Sequence, residues 1–498
     1  MSSQIKHYLE NIIIDYIKIN SDSLISSFYN NYISIINVEI SNIFCFGDNS
    51  SVLSLDTGIM DSIINIENLK IYSCVSNGPI IRFNGNFNNI FIKNSTLYDN
   101  TSYGSTIENI SKKTNMTIDN LYVMNNININ KNECGIIQLR NNCDFHLTNS
   151  IFDNNYKLKN GGALCFNKLT SGTLSIVNNK FSKNYAEKMG GAIYISYIND
   201  ANNENSNIYL SNNEFKNNKV DYFGGAIYID FNKNDNIVIN NSLFYENKAG
   251  ISGGAVYSPY YAIPINNSNL DINNKAISYG NFLSTLPLKI RLENNNLQSL
   301  YIQSNNYIPL NFTLYDNYGQ FVNDTLRYYS DITIKVSVIY NDKSFNNQII
   351  NRNTLKKISL RNDYDSSYKI SGNVGSFTNG FCHLQNFKIQ TKDKMNLMLR
   401  FEVENYIDNI YFITNNISIS INDCTNIQYT KKDKNNFIQC EEFNCFPKCD
   451  SVKSFCKKNY TNSYYENSPK YNICTCKEGY KGDDCDDHIY DDIRYDLK

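Results

Sequence analysis

Tryptophan is missing from the 498 residues, and proline (7) and histidine (4) are scarce. No apolar run reaches eighteen residues, so no stretch reads as a membrane-spanning helix. The formal charge is −2, which removes any electrostatic reason to expect nucleic acid or an anionic membrane as the partner. Nowhere do apolar residues keep the i, i+3, i+4, i+7 spacing of an amphipathic helix. Tyrosine (39) and phenylalanine (27) are plentiful instead, and short alternating runs separated by Asn, Asp, Ser and Gly predict an all-β chain.

One phrase recurs four times: Gly161-Gly162-Ala163-Leu164, Gly190-Gly191-Ala192-Ile193, Gly224-Gly225-Ala226-Ile227 and Gly253-Gly254-Ala255-Val256. Nine residues before each glycine pair stands a phenylalanine with an asparagine three on: Phe152/Asn155, Phe181/Asn184, Phe215/Asn218 and Phe244/Asn247. A repeat of this period means stacked units. The asparagine three before the phenylalanine carries the pattern further, as apolar-x-Asn-x-x-apolar centred on Asn11, Asn37, Asn68, Asn94, Asn120, Asn149, Asn178, Asn212, Asn241 and Asn267. Successive steps are 26, 31, 26, 26, 29, 29, 34, 29 and 26 residues, the irregularity expected when rigid strands alternate with variable loops. Ten coils of a parallel β-helix over residues 1–284 follow, a rod of roughly 45 to 50 Å at the inter-strand spacing.

Each recurring position has a physical role. The apolar residue at the phenylalanine position points inward and stacks on its equivalents. The glycine pair fits a corner where the backbone needs positive φ, or where a side chain would strike the next coil. The asparagine of the apolar-x-Asn pattern sits at a bend, its amide bonded to its equivalent in the neighbouring coil. Tyr194, Tyr228 and Tyr257 alternate with inward residues and form an outward stack, structural in preference to a sugar platform.

After Pro287 the texture changes. Longer alternating runs, such as 288–292, 310–314, 332–338, 397–401 and 417–421, predict one antiparallel sandwich over 285–422. Within it, 312–320 resembles the strand-turn opening of immunoglobulin-like modules in surface adhesins. The final block, 423–498, holds eight of the fourteen cysteines and ends in an acidic tail. Such density points to disulfides and an oxidising, extracellular compartment. Sequons at Asn94, Asn115, Asn240, Asn311 and Asn459 agree with it. The amino terminus lacks the basic start and apolar core of a signal peptide, so the chain reads as a fragment or one with a mis-set start. Cys45, Cys74, Cys134, Cys143 and Cys165 either bridge coils or stay buried thiols, and the state of Cys382 is open.

The segment 474–485, Cys-x-Cys followed by Gly479-Tyr480 and a last Cys, is similar to the closing half of an EGF-like module. That resemblance implies the pairs Cys445–Cys456, Cys449–Cys474 and Cys476–Cys485, which leaves Cys424 and Cys440 to each other. The Phe-x-x-Asn and Gly-Gly-Ala phrases together resemble polymorphic outer-membrane-protein repeats, found in chlamydial adhesins and in surface proteins of eukaryotic microbes. They imply a right-handed parallel β-helix displayed outside the cell. The barrel that follows such repeats in bacteria is not present, and with the EGF-like block this favours a eukaryotic surface protein.

Parallel β-helices also carry polysaccharide lyases and galacturonases, which need clustered acids with an arginine or histidine. The rod has two histidines, His7 and His146, two arginines, Arg82 and Arg140, and acids such as Asp153, Asp221, Asp230 and Asp235 spread singly over loops. No catalytic constellation, metal site or cofactor site emerges. The acidic run Asp483-Asp484-Cys485-Asp486-Asp487 reads as a solvated tail and not as a Ca²⁺ site. The expected function is a non-enzymatic adhesin or receptor ectodomain whose partner is a glycan or protein at the cell surface, with membrane anchoring only through sequence outside the chain. A lyase or glycoside hydrolase is the rival.

Overall fold

In a computed structural model of the chain the described residues are 6–29, 31–197, 206–265, 268–293, 299–340, 367–406, 410–413, 417–459 and 467–489. All their regular structure is β. One coil shows how the sequence builds it. The strand Thr173–Val177 ends at Asn178, whose φ of 59° turns the chain into the strand Lys180–Ser182. Lys183, at φ 53°, turns it again into the two-residue strand Tyr185–Ala186. The Gly190-Gly191 corner then leads into Ile193–Tyr197. Each strand pairs in parallel with its counterpart one coil on: Asn207–Ser211, Glu214–Lys216, Lys219–Val220 and Ile227–Asp230. Repetition gives a sheet of 23 strands and a second sheet of ten two-residue strands, one per coil, which is a parallel β-helix.

The inward column runs in register through Ile14, Ile40, Ile71, Leu97, Val123, Phe152, Phe181, Phe215 and Phe244. Its four phenylalanines stack at 5.0, 5.0 and 4.9 Å between ring centroids, all fully buried. Rings held at this distance combine burial with favourable ring contact. The stack stops there, because Phe244 faces Asp271 and Leu243 faces Leu270. Leu270, expected to continue the column, is one residue out of register and 59% exposed. Phe282 packs edge-on against Phe244 instead, at 5.5 Å, so the column is closed without it. Asn267, on which the tenth coil was aligned, lies outside the described residues.

Both roles proposed for the glycine pair are present, one for each glycine. Gly161, Gly190, Gly224 and Gly253 have φ between 68° and 73°. A Cβ on Gly162, Gly191 or Gly225 would run into the carbonyl oxygen of the equivalent glycine one coil on, and on Gly254 into that of Asn281.

Residues Met1–Lys289 and Leu314–Tyr328 form one compact unit, Ile290–Thr313 and Tyr329–Lys498 the other. Within the first, the Tyr318 hydroxyl donates to Ile263 O at 3.2 Å and accepts from Ile263 N at 2.8 Å, and the Gln320 amide donates to Leu283 O at 2.8 Å. These bonds tie the 314–328 segment to the last coils. The strands after Pro287 form a four-stranded and a five-stranded sheet. Pairing in the larger sheet is antiparallel except at one edge, where Ser299–Gln303 runs parallel to Ile417–Asn422, a departure from the all-antiparallel expectation. Beyond 423, three two-stranded antiparallel ladders accompany the cysteines.

Candidate functional site

Outward-facing residues of the strand after the corner form columns of their own. In the early coils one column reads Ser54, Arg82, Glu108, Gln138, and the next pairs Asp56 with Asn84. All of these but the buried Gln138 line, with Asn49, Ile110, Glu133 and Arg140, an open groove of about 420 Å³. Arg82 Nε donates to Glu108 Oε2 at 3.1 Å, and its Nη2 donates to Asn49 Oδ1 at 2.7 Å. Asn84 Nδ2 donates to Asp56 Oδ2 at 2.8 Å, while Asp56 Oδ1 accepts from Gly58 N. Arg140 is paired with Glu133. Burial, the largest single influence, pushes the Glu133 carboxyl up, but the Arg140 charge, the hydrogen bonds from Gln138 and Arg140 and the Lys159 charge together outweigh it, and the net direction is down. Both arginines of the β-helix are thus ion-paired, and the groove wall interleaves fixed donors with fixed acceptors.

Scanning the sequence for clustered acids and histidines missed this groove. The signal was the coil step: Arg82 and Glu108 are 26 residues apart, the same interval that separates Asn68 from Asn94 and Asn94 from Asn120. In a β-helix that interval makes two residues lateral neighbours. The acids that were singled out serve local ends. Asp153 accepts from Ser182 Oγ, Asp221 from the Tyr185 hydroxyl and Asp235 from the Ser206 and Asn232 amides. Burial raises the Asp230 carboxyl to about 6. His146 is exposed, in line with Thr117 and Ser175.

Farther along, the outward column becomes Cys165, Tyr194, Tyr228 and Tyr257. The tyrosines do stack, at 5.2 and 5.6 Å. They are not a sugar platform, since Phe223, Ile251, Met189 and Leu286 pack with them and Tyr257 is 1% exposed.

The expected asparagine ladder is two ladders. Asn11, Asn37, Asn68, Asn94, Asn120, Asn149, Asn178, Asn212 and Asn241 all have φ between 46° and 59°, so each occupies the bend. Among them Asn37 bonds Asn11, Asn68 bonds Asn37 and Asn120 bonds Asn94, all at exposed positions, but Asn149 turns to Asp119. The continuous ladder belongs to the other asparagine. Nδ2 donates to the next Oδ1 from Asn100 through Asn126, Asn155, Asn184, Asn218 and Asn247 to Asn274, at 2.8 to 3.2 Å, all buried.

Disulfides join Cys424 to Cys440, Cys445 to Cys456, Cys449 to Cys474 and Cys476 to Cys485. The sulfurs of Cys445, Cys449 and Cys456 lie close together, but each is spent in a disulfide and offers no thiolate to a metal. In the β-helix Cys134 is bonded to Cys165 across adjacent coils and Cys45, Cys74 and Cys143 are buried thiols; Cys382, in the second unit, is a buried thiol as well. Five disulfides mark an oxidising compartment.

Two copies of the repeated phrase, within residues 214–230 and 241–259, match the Chlamydia polymorphic membrane protein repeat. No characterised protein and no solved structure matches the chain. The matched segments supply the Phe215–Phe244 stack, the Asn218–Asn247 bond and two glycine corners, so the chain carries repeats of the Chlamydia polymorphic membrane protein type folded as a parallel β-helix.

Proposed function

We propose that the chain is a non-enzymatic extracellular recognition module, part of an adhesin or receptor ectodomain, whose β-helix binds carbohydrate in the groove around Arg82 and Arg140. The observation that carries this reading is the pairing of the groove's charges. Three carboxylates and two guanidinium groups leave no unbalanced cation for a small anion, but present alternating acceptors and donors. Sugar hydroxyls both donate and accept, and a few convergent polar groups in a concave site are enough to orient them. The polymorphic membrane protein-type repeats support a place at a cell surface, and the EGF-like cysteine spacing near the C-terminal end supports a spacer role for that block.

The groove also favours a second reading, a polysaccharide lyase or glycoside hydrolase, because it brings arginines and carboxylates together on a β-helix. Its electrostatics run the other way. A general acid at neutral pH needs a raised carboxyl pKa, whereas that of Glu133 is lowered, and each arginine is held by a carboxylate. The test is a neutral-glycan binding array run beside reducing-end assays on the full chain, with Arg82→Gln as the variant. Binding without turnover, lost in Arg82→Gln, is the expected result. Turnover abolished by Glu108→Gln would replace this reading with the enzymatic one.

A further inference from the structure

The ten two-residue strands carry a second outward column, remote in sequence from the groove. In register it passes from Tyr156 to Tyr185, Lys219, Lys248 and Lys275. The alternate residues Ala186, Val220, Ala249 and Ala276 form their own apolar cluster, so the tyrosines and lysines project from the opposite face. Parallel pairing sets successive lysines at the inter-strand distance of about 4.8 Å. All three lysines are exposed, and none has an ion pair among the described residues. The acids nearest the row in sequence bond tyrosine hydroxyls and not its lysines: Asp221 accepts from the Tyr185 hydroxyl at 2.7 Å, and Glu246 bonds the Tyr245 hydroxyl. Glu187 flanks only the tyrosine end, two residues from Tyr185. The Tyr156 and Tyr185 rings stack at 5.1 Å, and Lys219 Nζ lies 5.8 Å from the Tyr185 centroid, which anchors that end of the row.

Like charges directly opposite in a sheet destabilise it, and an anion laid along the row relieves the repulsion. The row follows the stacking of the coils, one residue per coil. A linear polymer with an acidic group recurring along its length can follow it, whereas a flat or globular partner would meet it only at its tip. We propose that Lys219, Lys248 and Lys275 form a docking line for an acidic polysaccharide, one bearing carboxylate or sulfate groups along its length. This site is independent of the groove and of its neutral ligand.

The test measures binding of polygalacturonate and of heparin to the full chain across a salt series. The triple variant Lys219→Gln/Lys248→Gln/Lys275→Gln should lose affinity by about tenfold or more and flatten the salt dependence. A second triple variant at exposed lysines elsewhere, Lys93→Gln/Lys112→Gln/Lys131→Gln, changes the net charge equally and should bind as the parent does. Arg82→Gln should also retain polyanion binding, which separates failure of this site from failure of the groove. Equal loss in both triple variants, no binding of either polymer, or equally tight binding of duplex DNA would overturn the proposal. A thermal midpoint unchanged in the triple variant guards against misfolding.

Discussion

Asn178 and Asn184, six residues apart in one coil, answer different demands of the backbone. Asn178 occupies the left-handed region, where an asparagine tolerates what a β-carbon otherwise penalises by about 1–2 kcal/mol. Asn184 sits in the buried ladder, its Nδ2 donating to Asn218 Oδ1 while its Oδ1 accepts from Asn155. Removing its amide strands the buried Asn155 N–H and one Asn155 Nδ2 hydrogen, each costing about 1–3 kcal/mol, while Asn218 Oδ1 keeps its bond from Asn184 N. Chemical denaturation should therefore rank Asn184→Ala well below Asn178→Ala in stability, with Asn178→Gly close to the parent because glycine accepts that φ. Equal losses for the two alanine variants would mean that the ladder is not cooperative. The bend was legible in the sequence because only a few residue types accept such a φ, so asparagine recurred at the same place in every coil. Which asparagine forms the continuous ladder was not legible, since both recur and only burial separates them.

At the scale of the coil, legibility divides along the direction a side chain faces. Inward columns must fill one interior, so Ile14 through Phe244 repeat one chemistry at a fixed offset and can be read directly. Outward columns have no such constraint: Ser54, Arg82, Glu108 and Gln138 share a register and nothing else. The groove and the lysine row therefore appear only once the coil step is used as a coordinate. Lys157 breaks the inward rule. It stands between Asn128 and Ala186 in the inward column of the short sheet, fully buried, with Nζ donating to Asn128 Oδ1 at 3.1 Å and to Asn130 O. Burial drives its pKa from 10.5 down to about 7, with Glu133 and Glu187 opposing and Lys159 assisting. The folded state then holds fewer protons than the unfolded chain between pH 7 and 10.5, so stability rises with pH across that window. Denaturation midpoints of the parent should climb from pH 7 to pH 10, and in Lys157→Met that component of the slope should vanish. An unchanged slope in the variant would assign it to other groups.

The whole molecule distributes its covalent ties unequally between the two units. The β-helix unit has one disulfide, Cys134–Cys165, with both cysteines at 2% exposure or less, and three buried thiols. Burial raises Cys45 to about 12 and Cys74 to about 11 and pushes Cys143 up as well, so these thiols are protonated and inert at neutral pH. Its stability comes from interior columns that each coil shares only with its neighbours. The other unit holds four disulfides within residues 424–485, and most of their cysteines are partly exposed. That segment has two-stranded ladders and few buried apolar side chains, so it depends on its cross-links, as small disulfide-rich modules do. Mild reductant without denaturant should therefore act on the two units in sequence. Thiol labelling read by peptide mapping should reach the cysteines between 424 and 485 first, and proteolytic cuts should concentrate there. Cys134, Cys165 and the buried thiols Cys45, Cys74 and Cys143 should stay unlabelled until the β-helix melts, and the thermal transition of that unit should keep its midpoint. If Cys134 and Cys165 were labelled as early as the C-terminal cysteines, the β-helix would be opening locally at the step between their coils, and its columns would not be the cooperative core argued for here.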